Sequence, residues 1–205
     1  MAKNKNIIVE LSSEEKIKEA ARRVFIKKGF SATRTRDIAE EAGINLALLN
    51  YYFRSKQKLF DLIMMETFGN FISGLKPIFF DESNSLDEKL NLLAEKYIIF
   101  LKANPDLPLF MINEIHNNPD KLLNKTGMKK NMKESHFFKQ IQSKSAGKIN
   151  PVHLIMNMLG LIVLPFIASP LIKHIGSFKQ AEFDQLMEER KKLIPLWFNS
   201  MLNTK

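Results

Sequence analysis

The residue types that could recognise another molecule are concentrated in residues 30–60, which read FSATRTRDIAEEAGINLALLNYYFRSKQKLF. Arg and Lys can neutralise phosphates, while Asn and Tyr can form hydrogen bonds with phosphate oxygens or base edges. Two short helical patterns in this segment are separated by a glycine at position 43. A helix, a glycine turn and a second helix with basic and amide side chains are typical of a surface that reads double-stranded DNA.

The first short helix is expected to begin at Thr33, whose hydroxyl can cap it, with Asp37 in the first turn, where the helix dipole favours an acid. Gly43 should end it, because glycine adopts the left-handed conformation without strain. Asn45 is a suitable cap for the second helix. The residues expected to point inward are Ile38, Ala39 and Ala42 in the first helix and Leu49 and Phe53 in the second. The face left free to meet DNA consists of Leu46, Ala47, Asn50 and Tyr51.

These residues resemble the DNA-binding domain of TetR-type (TetR/AcrR-like) transcriptional regulators. The usual pattern of that family is Thr, then Asp-Ile-Ala, then Ala-Gly-Val, then Tyr-x-Tyr-Phe and a Lys three residues later. Here the pattern reads Thr33, Asp37-Ile38-Ala39, Ala42-Gly43-Ile44, Asn50-Tyr51-Tyr52-Phe53 and Lys56. A composite motif of this length is far more specific than any single short pattern.

Three positions depart from the commonest residues of the family. Asn50 replaces a frequent tyrosine, Leu46 replaces lysine or another polar residue, and Ala47 replaces glycine. Leu46 cannot hold a phosphate or donate to guanine, so we expect an apolar contact with a thymine methyl, and Asn50 could pair with an adenine edge.

The resemblance implies separate roles for the candidate DNA-binding residues. Thr33 and Lys56 are expected to bind phosphates, and Tyr51 and Tyr52 to supply hydroxyls to the DNA backbone. Base edges should be met by Asn45, Leu46, Ala47 and Asn50. Arg34 and Arg36 complete the predicted interface.

Charge and composition agree with this interpretation. The chain has 205 residues, of which 45% are hydrophobic, so it can bury a substantial core. Its net charge is +9, and residues 1–60 contain 13 Lys and Arg against 7 Asp and Glu. Concentrated positive charge suits phosphate binding through counterion release, although a basic segment by itself is more often only a solvated surface.

The sequence contains no recognisable catalytic or metal-binding motif. The absence of cysteine excludes disulfides and thiol chemistry. Phosphate-binding loops, nucleophile elbows and His-Glu-x-x-His pairs are also missing. Glu114 and His116 would diverge by about 200° on one helix, and His136, His153 and His174 have no partner at a chelating interval. We therefore expect no enzyme activity, no metal and no cofactor.

The chain as a whole predicts an all-α fold of two domains. Residues 1–54 would form the DNA-binding domain, with the helix-turn-helix motif at about 34–53, and residues 55–205 a helical regulatory and dimerisation domain. The first helix should be opened by Ser12 or Ser13 with Glu15 and should end at Gly29. Its inward residues would be Ile17, Ala20, Ala21, Val24 and Phe25.

Later helices are expected in the C-terminal domain. Ser55 should cap a fourth helix that Pro77 ends after Lys76. The next helices are expected at about 86–103, after Pro105 and Pro108, at 122–143 with an interruption near Gly127, at 151–167 with a bend at Pro165, and at 180–203.

An uncharged segment at 154–172 is close to the length that spans a bilayer. Asn157, Pro165 and Pro170 and the lack of an aromatic belt favour a buried core or subunit-interface helix instead. The apolar run Ile7–Val9 is too short for a signal peptide, so a cytoplasmic protein is expected.

Of the 16 Phe and 10 Met residues of the chain, 12 Phe and 9 Met lie after residue 60. Most should be core, but such side chains also line apolar cavities. The resemblance implies a ligand pocket and a dimer interface here. The pocket candidates are Phe100, Phe110, Met111, Glu114, His116 and Met156. Dimerisation is expected through Leu154–Ile167 and through Leu186, Leu193, Ile194, Trp197 and Met201.

The resulting prediction is a homodimeric repressor that binds a palindromic operator in the major groove and responds to a small apolar or amphipathic ligand. The alternative is a helical ligand-binding or scaffold protein without sequence-specific DNA binding.

Overall fold

A computed structural model describes residues 12–120, 124, 132–147 and 149–202. The described part contains helices and no strand, as the sequence predicts. The helices of the first half are α1 Ser13–Ala32, α2 Thr35–Glu41, α3 Leu46–Tyr52, α4 Lys56–Phe80 and α5 Leu86–Ala103. Those of the second half are α6 Leu107–Asn117, α7 His136–Lys144, α8 Pro151–Ile167, α9 Ser169–Gly176 and α10 Gln180–Leu202, with a 3-10 turn at Met132–Glu134.

The chain divides into two compact units, residues 1–66 and residues 67–205. The division falls inside α4, so one continuous helix belongs to both units. The predicted boundary between residues 54 and 55 precedes this helix, and unit 1 includes the first part of α4 as well.

Helix α1 begins as its sequence predicts. The Ser12 hydroxyl accepts from the Glu15 amide at 3.2 Å, and the Glu15 carboxylate accepts from the Ser12 amide at 3.1 Å. These reciprocal bonds satisfy two amides that have no partner inside the helix. At Gly29 the backbone takes φ 73°, and the helical path is broken. The predicted inward residues are all buried, namely Ile17, Ala20, Ala21, Val24 and Phe25.

Three phenylalanine rings help to hold unit 1 together. Phe60 on α4 lies with its ring centre 5.2 Å from that of Phe25 and 4.5 Å from that of Phe30, both on α1. Aromatic pairs at these distances add to the hydrophobic gain of burial. They pack the first part of α4 against α1.

Pro77 does not end α4, contrary to the sequence prediction. The helix continues to Phe80, and the Asp81 amide closes it on the Pro77 carbonyl at 2.8 Å. A proline inside a helix costs about 3 kcal/mol. Ile78 and Phe79 are buried in unit 2, and each gains about 1.5–3 kcal/mol from burial, which outweighs that cost.

Unit 2 is organised around α5 and α10, which form its most extensive helix pair. Helix α5 begins with a second capping box, in which Ser85 and Glu88 bond to each other's amides. Its bounds are those predicted from the sequence. The core of unit 2 includes Leu90, Leu93 and Ile98 from α5 and Met187, Ile194 and Phe198 from α10.

Pro165 likewise lies inside α8, near the far end of the helix, where the sequence predicts a bend. Its missing amide leaves the Leu161 carbonyl without a helical donor, and the Arg190 guanidinium donates to that carbonyl at 2.7 Å. The turn comes after Ile167, and α9, which the sequence did not predict, follows at an angle of 68°. No helix within the described ranges is by itself long and apolar enough to cross a membrane, and α8 and α9 meet that criterion only together, across this bend.

Other boundaries agree closely with the sequence. Helix α6 begins next to Pro108, α8 has its predicted limits, and α10 ends at Leu202, with position 203 outside the described residues. Of the helix expected at 122–143, the described part contains a helical residue at position 124, the 3-10 turn and α7. The predicted interruption near Gly127 lies outside the described residues.

Substitution of Gly43, which has φ 67°, tests the turn between α2 and α3. A Cβ there would have nothing within 4 Å, so the cost of Gly43→Ala is that of the backbone alone, about 1–2 kcal/mol. Gly43→Asn should lose less, because asparagine tolerates the left-handed region. Urea unfolding followed by circular dichroism measures both, and the fluorescence of Trp197, the chain's one tryptophan, reports unit 2 separately. Equal stability of the glycine and alanine proteins would contradict this account.

Candidate nucleic-acid interface

A tight turn joins α2 to α3. The Gly43 amide donates to the Glu40 carbonyl at 3.1 Å and the Ile44 amide to the Ala39 carbonyl at 3.0 Å. The Asn45 side chain then accepts from the Leu48 amide at 2.8 Å and caps α3, as predicted. Both helices thereby have their ends fixed within a few residues of each other.

Buried side chains hold α2 and α3 in place. Ile38 and Ala39 are buried on α2, and Leu49 and Phe53 are buried at α3, as the sequence predicts. Ala42, expected to point inward, is only half-buried. A helix of seven residues is not stable alone in water, so these contacts determine the orientation of α3.

The opposite side of α3 faces outward. Ala47, Asn50 and Tyr51 are exposed, with 79% exposure for Tyr51, and Leu46 is half-buried. The rings of Tyr51 and Tyr52 meet edge to face with centres 5.3 Å apart. Within the described ranges the Asn50 amide has no hydrogen-bond partner, so both its donor and its acceptor are free. The side of α3 that the sequence predicts to meet DNA is therefore accessible to solvent, except for the half-buried Leu46.

Thr33 caps the end of α1, not the start of α2, so the predicted capping role is wrong. It is only 2% exposed, and its hydroxyl donates to the Gly29 carbonyl at 2.7 Å. The left-handed Gly29 deprives that carbonyl of its helical donor, because the Thr33 amide bonds to Phe30 instead. Helix α2 begins at Thr35, and Arg34 is the capping residue before it, whose amide donates to the Asp37 carboxylate at 2.9 Å.

Lys56, at the start of α4, is bound within unit 1. Its ammonium donates to the carbonyls of Phe30 and Thr33, both at 2.8 Å, and lies 4.2 Å from the centre of the Phe30 ring. These contacts connect α4 to the link between α1 and α2. A phosphate contact through the Thr33 hydroxyl proton would replace the internal bond of that hydroxyl, whereas the Lys56 ammonium has three N–H groups and retains one beyond its two carbonyl bonds.

Some basic side chains around α2 and α3 form ion pairs with carboxylates, and others do not. Lys28 pairs with Asp37 at 3.1 Å and Arg23 with Glu41 at 2.6 Å. The Arg34 amide, followed by the Lys28 side chain, holds the pKa of Asp37 below its usual range. Arg34 and Arg36 are exposed, and in the described part of the chain Arg36 has no carboxylate at ion-pair distance.

Arg54 is an additional candidate that the sequence analysis missed. It is exposed directly after Phe53, and the described residues supply no carboxylate partner for it either. A basic residue between two helices, directly after Tyr51, Tyr52 and Phe53, could have indicated a phosphate contact from the sequence alone. Arg34, Arg36 and Arg54 can therefore offer their guanidinium groups to phosphates.

Glu66 fixes α4 to α1 with two ion pairs. Lys18 approaches its carboxylate at 3.2 Å and Arg22 at 2.6 Å. All three side chains are partly shielded from water, so the pairs are less screened than ordinary surface pairs. Their position couples the orientation of α4 within unit 1 to that of α1.

The pocket candidates in unit 2 have unequal positions. Phe110, Met111 and Glu114 are buried on α6. Phe100 is half-buried, and its ring stacks on Phe71 at 3.8 Å. The other two candidates lie at the surface of unit 2: His116 is exposed, and Met156 is 60% exposed.

A polar groove of about 500 Å³ lies elsewhere on unit 2. Its lining is mostly charged or hydroxylic, and consists of Ser85, Leu86, Asp87, His136, Lys139, Gln140, Ser143 and Lys144. This is unlike the apolar pocket expected from the sequence. Among the described residues no group of three or more His, Cys, Asp or Glu is arranged to hold a metal ion.

Part of unit 1 is similar to one family of known proteins. Residues 17–63 match the family Bacterial regulatory proteins, tetR family. Over 205 residues the chain is 24% identical to the Bacillus subtilis (strain 168) protein named Probable HTH-type transcriptional regulator YttP, with 96% of this chain and 97% of that protein covered.

Solved structures show the same fold. The fatty acid degradation regulator FadR from Bacillus halodurans has a TM-score of 0.55 at 16% identity, covering 91% of this chain and 96% of that one. FadR from Bacillus subtilis in complex with stearoyl-CoA has a TM-score of 0.53 at 17% identity, covering 88% and 96%. At these identities the likeness concerns the fold alone.

Lys56→Met tests whether the ammonium positions α2. The protein without DNA should lose about 1–3 kcal/mol of unfolding free energy, because two carbonyls lose a charged donor. The matched control is Lys58→Met, an exposed lysine on the same helix, which should change stability by no more than about 0.5 kcal/mol. Urea unfolding by circular dichroism compares them. If Lys56→Met leaves stability unchanged but lowers the salt dependence of DNA binding, Lys56 is a phosphate contact.

Proposed function

We propose, from the premise that this chain is a DNA-binding transcriptional regulator of the bacterial TetR family, that it acts as a homodimeric repressor. A small apolar or amphipathic ligand would release it from a palindromic operator. The observation that carries the proposal is the outward face of α3, held rigidly by a turn, a cap and two buried side chains. The proposed site of action is the cytoplasm.

The proposed DNA contacts divide into positioning and reading groups. Helix α3 would enter the major groove with Asn45, Leu46, Ala47 and Asn50 toward the bases. Tyr51, Tyr52, Arg34, Arg36 and Arg54 would contact the backbone, where their hydroxyl and guanidinium groups fit phosphate oxygens. The internal bonds of Thr33 and Lys56 favour a role in holding the two helices in place.

Exposed apolar residues on α8 and α10 support dimerisation. Helix α8 buries Leu154, Met158 and Ile162 in unit 2, yet Leu164 on another side is 59% exposed. On α10 Leu196 is 62% exposed, beside the partly exposed Leu193 and Trp197. Apolar surface of this extent is usually covered by a partner. A second copy would cover it by two-fold symmetry and present two recognition helices about 34 Å apart.

The ligand class is proposed from the core of unit 2 and from one structural neighbour. Phe110, Met111 and Glu114 are buried on α6, which packs against α8. Apolar walls with a single carboxylate would suit an amphipathic molecule. The Bacillus subtilis FadR structure of the same fold contains stearoyl-CoA. An acyl compound is therefore a rational first ligand to test.

The alternative, a helical ligand-binding or scaffold protein without sequence-specific DNA binding, has no comparable support. It would assign no role to the exposed side of α3 or to the exposed guanidinium groups of Arg34, Arg36 and Arg54.

Leu196→Glu tests the dimer. At micromolar concentration without DNA, light scattering should give a dimer for the natural protein and a monomer for this variant, because a buried unpaired carboxylate is costly. The matched control is Leu109→Glu on α6, where the leucine is 63% exposed and should leave the dimer intact. A natural protein that is monomeric under these conditions would contradict the proposed assembly.

The proposed switch is tested by reciprocity between ligand and operator. A ligand that weakens operator binding 100-fold requires about 2.7 kcal/mol of coupling, and the operator must weaken ligand binding by the same factor. Thermal-shift screening with acyl compounds, followed by operator titration with and without each stabilising compound, measures both. If every stabilising compound leaves operator affinity unchanged, the ligand-responsive part of the proposal fails while DNA binding stands.

A further inference from the structure

We propose that the bases facing α3 are A·T pairs, read through thymine methyl groups by Leu46 and Ala47 and through an adenine edge by Asn50. This inference rests on the proposed entry of α3 into the major groove. The preference for A·T pairs is inferred from the side chains that the exposed side of α3 has and from those that it lacks.

Side chains that read G·C pairs are missing from α3. Guanine offers two acceptors in the major groove, which Arg or Lys usually contacts, and cytosine offers an amino donor, which Asp or Glu accepts. The sequence of α3, LALLNYY, contains no charged residue and no glutamine. A G·C pair under this face would therefore meet neither an Arg or Lys donor for guanine nor a carboxylate acceptor for cytosine.

Asn45 is less suited than Asn50 to read a base. Its side-chain oxygen accepts from the Leu48 amide at 2.8 Å, and this bond fixes the orientation of the amide at the start of α3. Only one lone pair of that oxygen remains for a base. Asn50, further along the same face, retains both groups, because the described chain provides it with no partner.

The remaining residues at the start of the face are apolar. Ala47 is exposed and Leu46 is half-buried, both in the first turn of α3. The first turns of a recognition helix are the part that reaches base edges. The C5 methyl of thymine is the apolar group that the major groove presents, whereas a cytosine amino group against leucine would lose its water without gaining an acceptor.

The exposed arginines lie outside this face. Arg34 and Arg36 are at the start of α2, and Arg54 follows α3. Their proposed partners are phosphates, which carry no sequence information. The inferred preference therefore concerns only the base pairs under α3, within each half of the operator.

Base analogues test the two contacts separately on an operator that the protein selects from genomic fragments. Deoxyuridine in place of one thymine at a time removes only the methyl group. One or two positions in each half-site should lose about fourfold in affinity, the value of one buried methyl. In Leu46→Ala the sensitivity at one of these positions should disappear, which is the signature of a direct pair. Thymines outside the half-site core serve as internal controls.

The adenine contact is tested with 7-deazaadenine, which lacks the N7 acceptor. One position should lose roughly tenfold with the natural protein and nothing further with Asn50→Ala, because one of two paired hydrogen bonds has been removed. Urea unfolding and binding to random duplex should be the same in both variants and in the natural protein, so that a loss of folding is not mistaken for a loss of reading.

The outcomes separate this inference from the proposed function. Specific binding with a G·C core under α3, or with no sensitivity to any deoxyuridine, overturns the A·T inference and leaves the repressor proposal intact. Methyl sensitivity that persists unchanged in Leu46→Ala overturns the assignment to Leu46. Equal affinity for selected and random duplex overturns the proposed function itself.

Discussion

The orientation of α3 in unit 1 depends on the burial of two of its side chains, because a helix this short is not stable alone. Helix α3 has seven residues, and an isolated helix of that length is unstable in water. Leu49 and Phe53 bury one side of it in unit 1, and the side-chain cap of Asn45 fixes its start. Because Leu49 and Phe53 must be buried, the residues on the opposite side of α3 are the ones exposed to solvent.

Several local interactions serve this one constraint. Gly43 in the left-handed conformation forms part of the tight turn between α2 and α3. Thr33 and Lys56 stabilise the connection between α1 and α2 by donating to backbone carbonyls. Glu66 forms ion pairs with two basic side chains of α1. Because α4 continues into the core of unit 2 through Leu75 and Phe79, the same helix takes part in both hydrophobic cores.

Much of this arrangement was predictable because local rules and burial agree. The Ser12 and Glu15 capping box, the Asn45 cap and the inward positions of α1 followed from residue type and spacing. Thr33 was misassigned because a threonine can cap the end of one helix or the start of the next, and only the backbone at Gly29 decides between them. Pro77 does not end α4 as predicted, because burial of Ile78 and Phe79 favours the continued helix. At Pro165 the Arg190 guanidinium supplies the donor that the Leu161 carbonyl loses. The engagement of Lys56 and Glu66 depends on contacts between distant parts of the chain, which spacing alone cannot reveal.

The central claim is that the exposed face of α3 reads DNA sequence and does more than attract phosphates. The most direct measurement is the affinity of the purified protein for a genome-selected duplex and for random duplex of the same length, across a range of salt concentrations. The account predicts that added salt weakens both complexes, through counterion release, while the selected duplex remains at least about 1000-fold tighter. Similar affinities for both duplexes at every salt concentration would contradict it, since the surface would then be only a positive patch.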